Sequence, residues 1–238
     1  MRPRKSADTL VLLPGLGADS RLFSSQIAEF PAMLTPPWPG IDPGDSITDL
    51  ARKLGEGLAG GGRMIVGGFS FGGMVALEMA ALESLRDQVA GVVLLAGIQR
   101  PSAIADDFRA KAGQLRWIPA SALGFGLKHL AGSFAKDEPI TAAQRDVLRQ
   151  MASQINLRFF RWAVKQCADW TFDRRRVKVP VRHIHGRHDK IVPPYEPDVD
   201  VWLDAGHLIQ FTHAQQVNAE IARFAAEIGL DLRAAQPA

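Results

Sequence analysis

The sequence is poor in the features that mark secreted and membrane proteins. Its single cysteine, Cys167, cannot form a disulfide within the chain and suits a reducing compartment. No apolar run is long enough to cross a bilayer. The basic residues at 1–5 are not followed by an apolar region of the signal-peptide type. We therefore expect a cytoplasmic protein that does not bind membranes.

The sequence also lacks the ligand spacing of a metal site. His183, His185 and His188 lie close together, and the first two share a face if this segment is a strand. No cysteine or second carboxylate accompanies them at ligand spacing. We therefore expect a structural role for these histidines, and a protein that needs neither a metal nor another cofactor.

Apolar strand-like segments alternate with helical ones along the chain, a pattern typical of a parallel sheet covered by helices on both faces. The length of 238 residues fits one domain with an inserted subdomain. We predict an α/β core over 1–98 and 177–238, with a mostly parallel central sheet. The candidate strands, about six, are 9–13, 32–34, 64–66, 89–95, 179–185 and 199–203.

An insertion at 99–176 interrupts this alternation, and we expect it to form a helical lid. Apolar spacing predicts four helices there, over 103–116, 121–131, 141–153 and 156–169. The insertion holds nine of the eighteen aromatic residues of the chain. A lid over an apolar pocket must present such groups to a ligand. We expect two or three of them to touch substrate, although spacing alone does not identify them.

The insertion is also basic. Between Arg100 and Arg176 there are 14 lysines and arginines against seven acidic residues, whereas the whole chain carries a net charge of +3. Such a segment is either a surface for an anionic partner or a set of solvated helix faces, and the second interpretation is the simpler one. We expect no nucleic-acid partner.

Gly68-Phe69-Ser70-Phe71-Gly72 is the clearest sign of chemistry in the sequence. An apolar strand-like segment precedes this G-x-S-x-G motif and a helical one follows it. In that context the serine stands at the apex of a tight turn, in a strained conformation, with its hydroxyl above the sheet. The alternative is a glycine-rich turn with an incidental serine, so the motif needs catalytic partners elsewhere in the chain.

Such partners follow later strand-like segments. Asp189 comes just after one of them, where an open α/β sheet places functional groups, and His207 follows the next. The chain order Ser, Asp, His is that of the α/β-hydrolase triad. Asp204 is the alternative acid, but it is too near His207 in sequence to reach the far ring nitrogen easily. We predict a catalytic triad of Ser70, Asp189 and His207.

The first predicted strand breaks at Pro14-Gly15-Leu16-Gly17. Exposed amides after an early strand form one half of the oxyanion hole in this fold, and the amide that follows the nucleophile forms the other half. We therefore predict that the N–H groups of Leu16 and Phe71 bind the oxyanion.

Four segments carry a resemblance to the α/β-hydrolase fold superfamily: LLPGLGADSRLF, GGFSFGGMVALEMA, HIHGRHDKIVP and DAGHLIQ. The chain most resembles small bacterial carboxylesterases with a helical lid, including the pimeloyl-carrier-protein methyl ester esterases of biotin synthesis. The resemblance covers the sheet and its helices, but not the insertion. The chain departs from it at Pro14, where many relatives have histidine. The proline-rich span after Asp189 also predicts that a helix usual in relatives is shortened or lost.

The resemblance implies the α/β-hydrolase fold and a serine esterase that cleaves a small-molecule ester, or an acyl group on a carrier. The same triad also supports thioester hydrolysis, acyl transfer, and hydrolysis or lyase cleavage of C–C bonds. The contents of the lid would separate these reactions. Some proteins of this fold are binding proteins with decayed triads, but all three triad residue types are present here.

Overall fold

Five parallel strands form one sheet in the part of the chain that the computed structural model describes. That part comprises residues 8–134 and 138–233, without the side chains of 116, 128–134 and 196. The order of the strands in the sheet is their order in the chain, and every neighbouring pair is parallel. The strands are β1 Thr9–Leu13, β2 Met64–Phe69, β3 Val89–Leu95, β4 Val181–Gly186 and β5 Val201–Leu203.

The predicted fold class is confirmed, but about six strands is one too many. The segment 32–34 contributes only an isolated parallel bridge between Leu34 and Val11. Pro31 precedes this segment, and Pro36 and Pro37 follow it closely. Because proline has no N–H to donate, a longer ladder cannot form on either side of the bridge.

Helices cover both faces of the sheet. They are α1 Ser24–Glu29, α2 Ile47–Glu56, α3 Phe71–Ala80, α4 Asp106–Gln114, α5 Ala120–Phe134, α6 Ala142–Ser153, α7 Leu157–Ala168, α8 Ile209–Thr212 and α9 Ala214–Glu227. Short 3-10 turns span Ser20–Phe23, Glu83–Leu85, Pro101–Ala103, Leu115–Trp117, Arg174–Arg176 and Glu196–Asp198. Between β4 and β5 the described residues contain only the last of these turns, as the prolines there predict.

Successive side chains of each strand enter opposite halves of the core, because strand residues alternate between faces. In β1, Leu10 and Leu12 pack in one cluster with residues of α9, whereas Val11 and Leu13 pack in the other with residues of α2 and α3. The side chains at the centre of both clusters are almost completely buried. This double burial explains why the strands are continuously apolar rather than alternating.

The helices α4 to α7 lie between β3 and β4 in the chain. The four helices predicted in the insertion are therefore confirmed, with ends shifted by a few residues at most. The division into a core and a lid at 99–176 stays a prediction. Among the described residues, no helix combines the length and apolarity needed to cross a membrane.

Candidate active site

The predicted site residues meet at the carboxyl-terminal edge of the sheet. Ser70 follows β2, Asp189 lies just beyond β4, and His207 lies just beyond β5. Because all five strands are parallel, residues that follow different strands emerge at the same edge. The topology thus gathers side chains that are far apart in sequence.

Ser70 is held in a strained backbone conformation between β2 and α3, with φ 53° and ψ −118°. A Cβ at Gly68 would lie 2.2 Å from the carbonyl carbon of Gly72, and a Cβ at Gly72 would lie 2.1 Å from the carbonyl oxygen of Leu13. Only glycine fits at either position. The amide of Ser70 donates to the Leu95 carbonyl at 2.9 Å, which ties the turn to β3.

Asp189 and His207 form a buried pair. Nδ1 of His207 lies 2.7 Å from Oδ2 of Asp189, and both residues are almost inaccessible to solvent. The other carboxylate oxygen accepts from the amides of Ile191 and Val192, each at 2.9 Å. Burial pushes the pKa of Asp189 up, but hydrogen bonds from His185 and His207 outweigh it and hold the pKa below its usual range. Asp189 is therefore an ionised acceptor at neutral pH.

The two predicted oxyanion donors lie on neighbouring turns. Leu13, the last residue of β1, pairs with Gly68 in β2, so the turn that carries Leu16 adjoins the one that carries Ser70. Phe71 is the first residue of α3, where an amide has no acceptor within the helix. Leu16 and Phe71 line the same cavity as Ser70.

Ser70 and His207 open into a cavity of about 550 Å³. Its remaining walls are mostly apolar and come from both the core and the insertion; they include Met74, Ile98, Phe108, Phe160 and Val164. Cys167 also lines the cavity, but burial raises the pKa of its thiol to about 12. The thiol therefore stays protonated at neutral pH, which leaves Ser70 as the candidate nucleophile.

The sequence matches the model of the alpha/beta hydrolase family over residues 10–220. The chain belongs to this family. A search among curated proteins finds no significant match.

Several solved structures share the fold of this hydrolase. A thermophilic esterase from Thermogutta terrifontis is 20% identical, with a TM-score of 0.74 over 94% of this chain and 91% of the other. A carboxylesterase from Nitrososphaera gargenis is 17% identical, with a TM-score of 0.72 over 94% and 91%. An epoxide hydrolase from Bacillus megaterium is 17% identical, with a TM-score of 0.70 over 92% and 94%. At such low identity these likenesses show the fold alone.

The alternative acid, Asp204, is not among the residues that line the cavity of this hydrolase. Its Oδ1 lies 2.6 Å from Nε2 of His188, and both side chains are largely exposed. His183 and His185 are buried and contact each other through ring nitrogens 2.9 Å apart. Within residues 8–134 and 138–233, no group of three or more His, Cys, Asp or Glu side chains is arranged to hold a metal ion.

Glu138, in the insertion, touches the backbone beside the candidate base. Its Oε1 accepts from the amide of His207 at 2.6 Å and from that of Leu208 at 3.3 Å. A Cβ at Gly206 would lie 2.2 Å from this oxygen, so only glycine admits the carboxylate. The sequence contains no local signal for this contact because its partners are 69 residues apart.

We expect Glu138→Ala to loosen the His207 loop. Two amides would lose their acceptor, and leaving a buried donor unsatisfied costs about 1–3 kcal/mol. Both the melting temperature and kcat should therefore fall. Glu138→Gln retains a carbonyl oxygen and should lose less of either.

Thermal unfolding and kcat measured side by side test this expectation. Asp146→Asn is the matched control, because Asp146 is another acid of the insertion but its partner is the exposed Arg149. Equal losses in the Asp146 and Glu138 variants would contradict a specific role for Glu138.

Proposed function

We propose that the protein is a serine hydrolase that cleaves carboxylic esters through an acyl-enzyme intermediate. The observation that carries the proposal is the buried His207–Asp189 pair, whose histidine lines the cavity where Ser70 stands at the apex of a strained turn. A nucleophile, a base and an acid that orients the base are the three groups with which a Ser-His-Asp triad transfers an acyl group to serine.

In this proposal His207 takes the proton of the Ser70 hydroxyl as the oxygen attacks the ester carbonyl. Asp189 accepts from Nδ1 of His207, which fixes the tautomer and stabilises the imidazolium that forms. The amides of Leu16 and Phe71 bind the oxyanion. His207 then protonates the leaving alcohol, and a water molecule activated by the same ring hydrolyses the acyl-enzyme.

The residue types favour acyl chemistry over epoxide opening, although an epoxide hydrolase shares the fold. Attack of the Ser70 oxygen on an epoxide carbon would give an ether. An imidazole-activated water has no carbonyl to attack in an ether, so the enzyme would be trapped after one turnover. The acyl-serine ester formed from an ester or a thioester contains such a carbonyl and turns over.

The shape of the cavity supports a short or medium acyl group. Its volume of about 550 Å³ and its apolar walls suit a hydrocarbon chain rather than a polar polymer. A series of p-nitrophenyl esters of graded chain length, with matched thioesters, tests the proposal. We expect steady hydrolysis with an optimum at a short or medium chain. Absence of ester hydrolysis together with turnover of styrene oxide would overturn it.

We further propose, from the resemblance to carrier-protein methyl ester esterases, that the natural acyl group is presented on an acidic carrier. The basic excess of the insertion supports this idea. Arg145 and Arg149 lie on α6, and Arg158 and Arg161 lie on α7, so each pair shares a helix face. Arg158 also lines a second cleft of about 480 Å³ that adjoins the catalytic cavity.

Reversing the charges of Arg145, Arg149, Arg158 and Arg161 should raise KM for a carrier-bound ester about tenfold or more. Electrostatic capture acts on association and weakens with salt, so the effect should shrink as ionic strength rises. A small neutral p-nitrophenyl ester should be unaffected. Steady-state kinetics at two salt concentrations provide the measurement.

A variant with the same change in net charge outside the insertion is the control. It reverses four exposed arginines that pair with acidic residues: Arg52, Arg86, Arg223 and Arg233. Equal effects of the two variants, or equal effects on both substrates, would show that the arginines of the insertion are only solvated.

A further inference from the structure

Two buried histidines stand behind the triad acid and have no role in the mechanism above. His183 and His185 lie on the same face of β4 and are 1% and 0% exposed. We propose that His185 is a positioning residue: its Nε2–H is shared between the Val192 carbonyl oxygen, at 2.9 Å, and the Asp189 carboxylate, at 3.1 Å, so that this carboxylate is held by both His185 and the base His207. The inference rests on the proposed function, because it names a residue that holds the acid of the same triad in place.

Four nitrogen atoms of neighbouring residues surround the Asp189 carboxylate. Oδ1 accepts from the amides of Ile191 and Val192. Oδ2 lies 2.7 Å from Nδ1 of His207 and 3.1 Å from Nε2 of His185. A carboxylate held by four donors from two directions cannot rotate away from His207 without breaking other bonds. The contact from His185 therefore restrains the oxygen that orients the base.

The neighbours of the two histidines decide where their protons lie. Nδ1 of His185 lies 2.9 Å from Nε2 of His183, and Nδ1 of His183 lies 2.9 Å from the Asp198 carbonyl oxygen. Acceptors stand at both ends of this chain of contacts: the Asp198 carbonyl oxygen at one end, and the Val192 carbonyl oxygen together with the Asp189 carboxylate at the other. One proton lies between the two rings, so rings that carry one proton each supply a donor to only one of these ends.

The donor proton goes to the end of the chain where the carboxylate lies. A hydrogen bond to a charged acceptor is roughly twice as strong as one to a neutral carbonyl. The Asp198 carbonyl already accepts from Nε2 of Gln99 at 2.7 Å. Burial lowers the pKa of His183 to about 4, so that ring carries no extra proton at neutral pH. Both histidines should thus hold their proton on Nε2, with that of His185 directed at the Val192 carbonyl oxygen and at Asp189.

The other charged groups around the histidines are paired among themselves. The Asp198 carboxylate binds Arg100 in an ion pair, and Arg174 lies near both of them. The Asp200 carboxylate accepts from the backbone amide of His183 at 2.7 Å. At the catalytic end, Nε2 of His185 lies 2.9 Å from the Val192 carbonyl oxygen and 3.1 Å from Oδ2 of Asp189, and Asp189 in turn contacts His207. Loss of the His185 ring should therefore act first on the triad acid.

Removing the donor would leave more negative charge on Oδ2 of Asp189 for His207 to bind. The His207 imidazolium would then form more easily, and the free base would be available only at higher pH. On the acid side of the pH profile, kcat/KM rises with pH as this base loses its proton, and we call this part of the profile the acid limb. We expect His185→Leu to move this limb to higher pH by about one unit, which lowers kcat/KM about tenfold at pH values well below the midpoint of the limb.

The experiment compares His185→Leu with His185→Gln, whose side-chain amide can donate from nearly the same place. The acid limb of the Gln variant should stay within about 0.3 units of that of the parent enzyme. His188→Leu, a change at an exposed histidine three residues away, should leave the profile unchanged. A folded Leu variant with the parent limb, or equal shifts in the Leu and Gln variants, would overturn the role of His185.

Nitrogen NMR of the histidine rings tests the same proposal in the unaltered protein, should the Leu variant fail to fold. We expect the Nε2–H tautomer at His185, and Nδ1–H there would overturn the proposal. A failure of the proposed function is distinguishable: it would appear as hydrolysis that survives Ser70→Ala, whatever the tautomer of His185.

Discussion

Ser70→Ala should abolish ester hydrolysis, with kcat falling by about 10⁶-fold, the size of loss known for serine nucleophiles in other triads. Without the hydroxyl no acyl-enzyme forms, and the oxyanion donors alone give little rate. The fold should survive, because alanine keeps the Cβ and the strained φ of 53° is neither relieved nor worsened. We therefore expect a melting temperature within about 2 °C of that of the parent protein.

The measurement is kcat with a p-nitrophenyl ester, alongside thermal unfolding of both proteins. Ser84→Ala is the matched control, because Ser84 is exposed and lies beyond α3. Its kcat should equal that of the parent. If Ser70→Ala retains more than about 1% of the parent kcat, Ser70 is not the nucleophile.

Asp189→Asn should lower kcat by up to ~10⁴-fold, with little change in KM. The asparagine amide can donate toward Nδ1 of His207, which then holds the tautomer that cannot accept the Ser70 proton. His207→Ala should cost about as much as the loss of Ser70 itself. Because the pKa of Asp189 is depressed, this carboxylate stays ionised in mildly acidic solution. Activity lost as the pH falls toward 5 must therefore come from another group than Asp189.

Asp204→Asn separates the two candidate acids. Asp204 pairs with His188 on the surface, so its amide variant should keep the parent kcat. The comparison needs only steady-state kinetics of the two asparagine variants at one pH. Should Asp204→Asn be the damaging change and Asp189→Asn the silent one, the acid would be Asp204 and the orientation of His207 would need another explanation.

The sheet and the position of Ser70 could be predicted because their signals are local. An apolar run before the G-x-S-x-G motif and a helical one after it suffice to predict a strand, a turn and a helix. The insertion was predictable for the same reason, since its four helices have regular apolar spacing. The prediction of a strand at 32–34 was wrong, because prolines on both sides limit the pairing of this segment to one bridge.

The contacts that hold the triad residues in place could not be predicted in the same way. Glu138 reaches the His207 amide across 69 residues, so no spacing rule connects them. His185 could be placed on a strand beside His183, but its contact with Asp189 depends on how the chain turns after β4. There the amide of Asp189 donates back to the Gly186 carbonyl at 3.3 Å. Helix packing likewise decides which side chains of the insertion line the cavity. Phe108 and Phe160 are two of them.

Covalent labelling with a fluorophosphonate tests whether Ser70 is an activated nucleophile, since an activated serine displaces fluoride and keeps the phosphonyl group. Intact mass should show one adduct per chain in the parent protein and none in Ser70→Ala. Tryptic cleavage after Arg63 and Arg86 yields one peptide that contains both Ser70 and Ser84, so fragmentation must locate the adduct. We expect an adduct on Ser70 alone. If the protein hydrolyses esters yet takes no label, or takes it at another residue, Ser70 is not the nucleophile.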